Sequence, residues 1–225
     1  MAEYVSRREC RSYREAFEKV LASVRNNMRK EGVTFTCNLV GSGKRNLIVR
    51  HPQKGFDLDY QIVIQTNKKN FNARTLNEKF RLCFDRAKGA GFSHSEDSTS
   101  ALTIKLKDTN RSRVKFAYDV VLLRKSENGT EIIRRNTQGE YVWNTLKDMD
   151  DFHNRLEYIW KNAGMRERLK EIYWQKKIDQ MEGRTSKKSY QLLHEAINEV
   201  LKQPSHPYGL RNDIEEAFSH FKQYR

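Results

Sequence analysis

Residues Phe56 to Ile64 read Phe-Asp-Leu-Asp-Tyr-Gln-Ile-Val-Ile, and this alternation constrains the fold more than any other stretch of the chain. Successive side chains of an extended strand point to opposite faces. Phe56, Leu58, Tyr60, Ile62 and Ile64 therefore share one face, which must pack on a core, while Asp57, Asp59 and Gln61 share the other. The two carboxylates are held roughly 7 Å apart along a rigid strand. Like charges so placed repel unless a cation sits between them, and hard oxygen ligands of this kind suit Mg²⁺.

A third carboxylate lies in Val114-Lys115-Phe116-Ala117-Tyr118-Asp119-Val120-Val121-Leu122-Leu123. The even positions are all apolar, and Asp119 stands on the odd face among Ala117, Val121 and Leu123. An ionised group in so apolar a run is costly unless it is paired or bound to metal. If the two strands are neighbours, three carboxylates converge and can hold two cations about 3.5 to 4 Å apart, as in phosphoryl-transfer enzymes. The alternative is a solvated acid pair on an edge strand and a separate, salt-bridged Asp119.

Upstream, Leu39-Val40 runs into Gly41-Ser42-Gly43-Lys44-Arg45. Glycines let backbone approach a phosphate, N–H groups and the Ser42 hydroxyl can donate to its oxygens, and Lys44 or Arg45 can offset its charge. The first glycine is too close to the lysine for a Walker A loop. Taken alone, these residues are equally a plain turn.

Gly41-Ser42 at a strand end, then Asp57-Leu58-Asp59, then Asp119 on a later strand together resemble the DNA polymerase beta nucleotidyltransferase superfamily. The resemblance covers about residues 35–123. It implies an α+β fold, a small mixed β-sheet with flanking helices, in which Asp57, Asp59 and Asp119 are catalytic and bind Mg²⁺ or Mn²⁺. It also implies transfer of an NMP from an NTP to a hydroxyl, with Gly41, Ser42, Lys44 and Arg45 at the triphosphate. A weaker similarity reaches the branch of oligoadenylate synthases, poly(A) polymerases and cyclic-oligonucleotide synthases, where a later helical domain supplies a lysine and a Ser-Tyr pair. Ser189-Tyr190 matches that pair. The family lysine usually precedes it at the place of Ile172, so Lys177, Lys176 or Lys170 must replace it. Ser189 as a helix N-cap, with the lysines on a solvated face, is the competing reading.

Around these residues the periodicity predicts an amphipathic helix from about Ser6 to Arg29, strands over 35–40, 56–65, 102–107 and 113–123, and a helix from about Leu76 to Lys88. Thr75 and Glu78 form a capping box for that helix, and Gly89 closes it. Residues 93–100 read as a surface loop and Glu127-Asn128-Gly129-Thr130 as a turn between extended segments. From about Trp143 the pattern is helical, broken by Pro204 and Pro207 before a last helix capped by Asn212 and Glu215. The expected organisation is a catalytic core over 1–145 and a helical C-terminal domain over 146–225.

The formal net charge of +14 favours a polyanionic acceptor, an RNA 3′ end or another nucleotide, over a cationic small molecule. Because basic residues are spread along the whole chain, a solvated basic surface accounts for them equally well. No apolar run approaches the roughly 20 residues of a membrane span, and the three cysteines fit neither a disulfide framework nor a zinc site, so a cytoplasmic protein is expected. Two further functions compete: a catalytically silent RNA-binding protein of the same fold, and a metal-dependent nuclease. The nuclease reading lacks its usual strand lysine, since Gln61 stands there.

Overall fold

A computed structural model describes residues 2–52, 55–108, 113–146 and 150–202. The chain divides into two compact units, Met1–Lys147 and Asp148–Arg225.

The first unit opens with a two-residue strand, β1 (Glu3–Tyr4), and helix α1 (Arg7–Lys30). Ser6 caps α1 by accepting the Glu9 N–H at 3.2 Å, and Phe17, Leu21, Val24 and Met28 recur at three- and four-residue intervals on its buried side. Next come β2 (Val33–Leu39), a short helix α2 (Gly41–Arg45), β3 (Val49–Arg50), which pairs with β1, and the long strand β4 (Phe56–Asn67). Helix α3 spans Ala73–Ala87. Its N-cap is Asn72, whose side chain accepts the Thr75 N–H at 2.9 Å. The capping box expected at Thr75 is therefore displaced by three residues, and Thr75 is the donor. At the other end Lys88 closes the helix through its N–H to the Phe84 carbonyl, and Gly89, the expected terminator, has no left-handed backbone.

Strands β5 (Glu96–Asp97), β6 (Leu102–Asp108), β7 (Arg113–Ser126), β8 (Gly129–Arg135) and β9 (Tyr141–Thr145) complete this unit. The expected loop over 93–100 thus contains a strand, with Ser95 buried beside it. Trp143, expected to open the helical region, lies in β9 and packs under the Arg124 guanidinium at 4.3 Å. The turn expected at 127–130 is a tight hairpin, with Ser126 opposite Gly129.

A seven-stranded sheet runs in the order β2-β4-β7-β6-β5, with β8 pairing β7 and β9. β4 and β7 are parallel and the other pairs of this sheet are antiparallel. β7 is long enough to pair with β6 along its first part and with β8 along its last. Its parallel pairing with β4 requires a crossover, and α3 lies in that connection.

The core joins α1 and α3 to one face of this sheet. Phe17 is fully buried; its ring stacks on Tyr60 at 4.0 Å and lies 4.6 Å from the ring of Tyr118. Tyr13 stacks on Phe116 at 4.4 Å, and the Tyr118 hydroxyl donates to the Tyr13 carbonyl at 2.7 Å. These are the apolar positions that alternation assigned to the core face of 56–64 and 114–123. The α+β class with a mixed sheet is the one expected.

The second unit contains α4 (Asp150–Lys161), α5 (Ala163–Met181) and α6 (Ser189–Lys202). Phe152, Leu156, Ile159, Leu169, Tyr173, Ala196, Ile197 and Val200 are buried in it. The predicted proline break and final capped helix lie outside the described residues. No helix among the described residues is long and apolar enough to cross a membrane.

Phe17 fills the space between α1 and the two central strands. Phe17→Ala should destabilise the protein by about 3 to 5 kcal/mol, read as a lower urea midpoint at unchanged slope. A loss under about 1 kcal/mol would mean that the aromatic layer does not hold α1 to the sheet.

Candidate metal centre

Because the odd residues of β4 and β7 turn away from α1 and α3, their acidic side chains emerge together on the opposite face. The parallel register puts Asp59 directly beside Asp119 and Asp57 beside Ala117. Each of the three aspartates offers a carboxylate oxygen, and these atoms all lie within 4.8 Å of one another. Asp57 is exposed, and Asp59 and Asp119 are half-buried.

Burial pushes the Asp119 carboxyl above its ordinary value, and the neighbouring charge of Asp57 adds to the shift. Two groups pull the other way: the Thr103 hydroxyl, which donates to Asp119 Oδ1 at 2.6 Å, and the ammonium of Lys105. Thr103 stands opposite Asp119 across β6 and β7. Lys105 is itself paired with Glu96.

Two glycines set the frame of the cluster. Gly55, at φ +66°, precedes β4, and a Cβ there would fall 2.2 Å from the Lys115 carbonyl oxygen. Gly41, at φ +60°, opens α2, and a Cβ there would fall 2.5 Å from Asp59 Oδ2. A side chain at either position would combine a close clash with a backbone conformation that only glycine adopts easily. The Val40 N–H donates to the Asp59 carbonyl at 2.9 Å, which ties the end of β2 to the acidic strand. The Gly-Ser-Gly-Lys-Arg run is thus one short helical turn rather than an open loop. Its first N–H groups have no acceptor within the helix, and its first residue, Gly41, lies against the Asp59 side chain. Lys44 is exposed on this turn, whereas Arg45 is half-buried, and burial lowers the pKa of its guanidinium.

Ser189 and Tyr190 lie in the second unit. Lys177 Nζ donates to Ser189 Oγ at 3.0 Å and to Gln180 Oε1 at 2.5 Å. Lys170 instead meets Glu167, and Lys176 meets Glu199. Lys177 is therefore the lysine that reaches the Ser-Tyr pair. Ser189 is not an N-cap: Lys188 precedes the helix, its N–H bonded to the Gln191 side chain at 2.8 Å, and Ser189 is the first helical residue. Tyr190 is 48% exposed, with its ring 5.0 Å from Phe152.

Thr103 and Lys105 were not singled out from the sequence. Alternation over 102–107 places both opposite Leu102, Ile104 and Leu106, but only the β6–β7 register brings Thr103 to Asp119.

Oxygen ligands of Mg²⁺ sit about 2.0 to 2.1 Å from the ion, so two on opposite sides are about 4 Å apart. The carboxylate oxygens, all within 4.8 Å of one another, lie near the span that one divalent cation bridges. Hard oxygen donors are also the chemistry that Mg²⁺ and Mn²⁺ prefer.

No family model matches this chain, and no curated protein matches it in sequence. Solved structures of Vibrio cholerae DncV do match in fold. The 3′-deoxy ATP bound form superposes with a TM-score of 0.57 at 16% identity, covering 91% of this chain and 55% of that one. The GTP bound form gives 0.57 at 16% identity, over 90% of this chain and 54% of that one. The cyclic AMP-GMP synthase, described as a prokaryotic cGAS homolog, gives 0.55 at 13% identity, over 85% and 52%. The likeness is one of fold alone, and this chain spans about half the length of those structures.

Two outcomes follow from the geometry. Since the folded pKa of Asp119 is raised, stability is full below the ordinary carboxylate range, about pH 4, and falls as pH rises through the raised value. Asp119→Asn should therefore be more stable than wild type at pH 7 without divalent ions, and that gain should vanish below about pH 4. Urea melts at both pH values decide it; a variant weaker than wild type at pH 7 would contradict the assigned burial cost. Gly41→Ala should lose about 1 to 2 kcal/mol from its left-handed backbone alone. It should also lose the upward thermal shift expected of wild type on adding Mn²⁺, and a full shift would show that Asp59 tolerates the new methyl.

Proposed function

We propose that this chain is a metal-dependent nucleotidyltransferase, which moves a nucleoside monophosphate from an NTP to a hydroxyl acceptor and releases pyrophosphate. The observation that carries the reading is the meeting of Asp57, Asp59 and Asp119 within 4.8 Å beside the glycine that opens α2. A catalytically silent RNA-binding relative would have no use for three mutually repelling carboxylates held so close.

In this reading Asp57, Asp59 and Asp119 hold Mg²⁺ or Mn²⁺. A divalent ion held there would supply charge neutralisation on the phosphates and acidification of the attacking hydroxyl. The acceptor oxygen forms a bond to the α-phosphorus, and the bond from that phosphorus to the bridging oxygen of the β-phosphate breaks. Asp119 takes the hydroxyl proton on a carboxylate oxygen, acting as the general base. The N–H groups of Gly41 and Ser42 and the Ser42 hydroxyl donate to the β- and γ-phosphates, and Lys44 and Arg45 offset their charge. Within the second unit, Lys177, Ser189 and Tyr190 are its proposed nucleotide-binding residues; the 3.0 Å bond between Lys177 and Ser189 supports choosing that lysine.

The acceptor is proposed to be an RNA 3′ end or another nucleotide. A net charge of +14 favours a polyanion over a cationic or neutral molecule. The fold neighbours have been solved with GTP and with a linear 5′ pppA(3′,5′)pG intermediate, which supports the nucleotide alternative.

Incubating the protein with each labelled NTP and Mg²⁺ or Mn²⁺, with and without an RNA bearing a free 3′ hydroxyl, should release pyrophosphate and yield an extended RNA or a nucleotide-to-nucleotide product. Groups merely hydrogen-bonded to a metal's ligands are worth 10- to 100-fold, so removing a ligand by Asp57→Ala should reduce turnover by more than about 100-fold. Pyrophosphate release that survives Asp57→Ala would overturn the assignment.

A further inference from the structure

A carboxylate on a strand has two rotatable side-chain bonds, so a hydrogen-bond partner that selects one orientation helps to define a site built from three of them. The structure provides such a hold for Asp119 from outside the Asp-x-Asp strand. Thr103 lies opposite Asp119 on the antiparallel neighbour β6, and its Oγ1 donates to Asp119 Oδ1 at 2.6 Å. A β-branched threonine has a restricted χ1, so its hydroxyl is aimed by the strand rather than by chance. The other polar group beside Asp119 on β6, Lys105, has its ammonium on Glu96. Lys105 therefore contributes charge, whereas Thr103 makes the directed bond.

We propose that Thr103 is the positioning residue of the third carboxylate: its hydroxyl bond to Oδ1 fixes the orientation in which Asp119 meets Asp57 and Asp59 around a divalent cation. The inference rests on the metal-dependent reading above and adds to it a residue that neither the Asp-x-Asp strand nor β7 contains. Hydrogen-bond partners of ligating groups commonly set metal affinity by 10- to 100-fold. The hydroxyl, not the bulk of the side chain, is the active element.

The test is Mn²⁺ titration without nucleotide, followed by electron paramagnetic resonance of the free ion, on wild type, Thr103→Val, Thr103→Ala, Thr103→Ser and Asp57→Ala. Thermal unfolding in EDTA reports the folding of each. Thr103→Val keeps the shape and loses the donor, and it should bind Mn²⁺ about 10-fold or more weakly. Thr103→Ala should weaken binding likewise, which keeps the comparison open if valine disturbs the strand. Thr103→Ser should restore most of the affinity. Valine and alanine variants that bind as tightly as wild type, or a serine variant as weak as valine, would overturn the positioning role while leaving the metal centre intact. Wild-type Mn²⁺ binding unaltered by Asp57→Ala would overturn the metal centre itself, and the role of Thr103 with it.

Discussion

The parallel pairing of β4 and β7, with Asp59 beside Asp119, is the constraint on which the rest of the first unit depends. Because a strand repeats every two residues, this register sorts both strands at once, aromatic and aliphatic side chains to the helices and acids to the far face. A slip of one residue would turn every side chain of one strand over. It would drive Asp57 and Asp59 into the layer formed by Phe17, Tyr60 and Tyr118, where an unpaired charge is strongly disfavoured. Core packing and site assembly are therefore one event.

The cluster so formed works against its own stability. Three carboxylates within ligating reach repel one another, and the burial of Asp119 adds a desolvation cost that Thr103 and Lys105 only partly offset. Such local conflict survives where the surroundings over-determine the geometry. Here the surroundings are two long strands backed by stacked rings, with Gly41 admitting the Asp59 carboxylate and Gly55 the Lys115 main chain at distances too short for any side chain.

Much of this was legible in the amino-acid order because alternation is a local property. Asp57, Asp59 and Asp119 stand out in apolar runs whose faces can be assigned without knowing what pairs with what. The elements that were misread depend on tertiary context. Trp143 lies just ahead of a helical pattern, and only its partners in β8 and the guanidinium of Arg124 make it part of a strand. Asn72 and Thr75 are both acceptable caps, and the choice between them depends on where the chain leaves β4. Thr103 is an ordinary strand threonine until pairing sets it opposite an acid, and register across an antiparallel pair cannot be read from either strand alone.

The two glycines beside the acidic cluster carry a consequence for tracing kinship. At 16% identity or less, most positions of such a fold are free to drift, since any apolar residue of similar bulk maintains a core. Gly41 and Gly55 are not free in this sense: one is hemmed in by a carboxylate oxygen, the other by a main-chain carbonyl. Their spacing from the acids, with Gly55 two residues before Asp57 and Gly41 at the end of the preceding long strand, is a stricter mark of shared geometry than overall percentage likeness. Distant chains that retain the acids but fill either gap must have rebuilt the approach to the cluster.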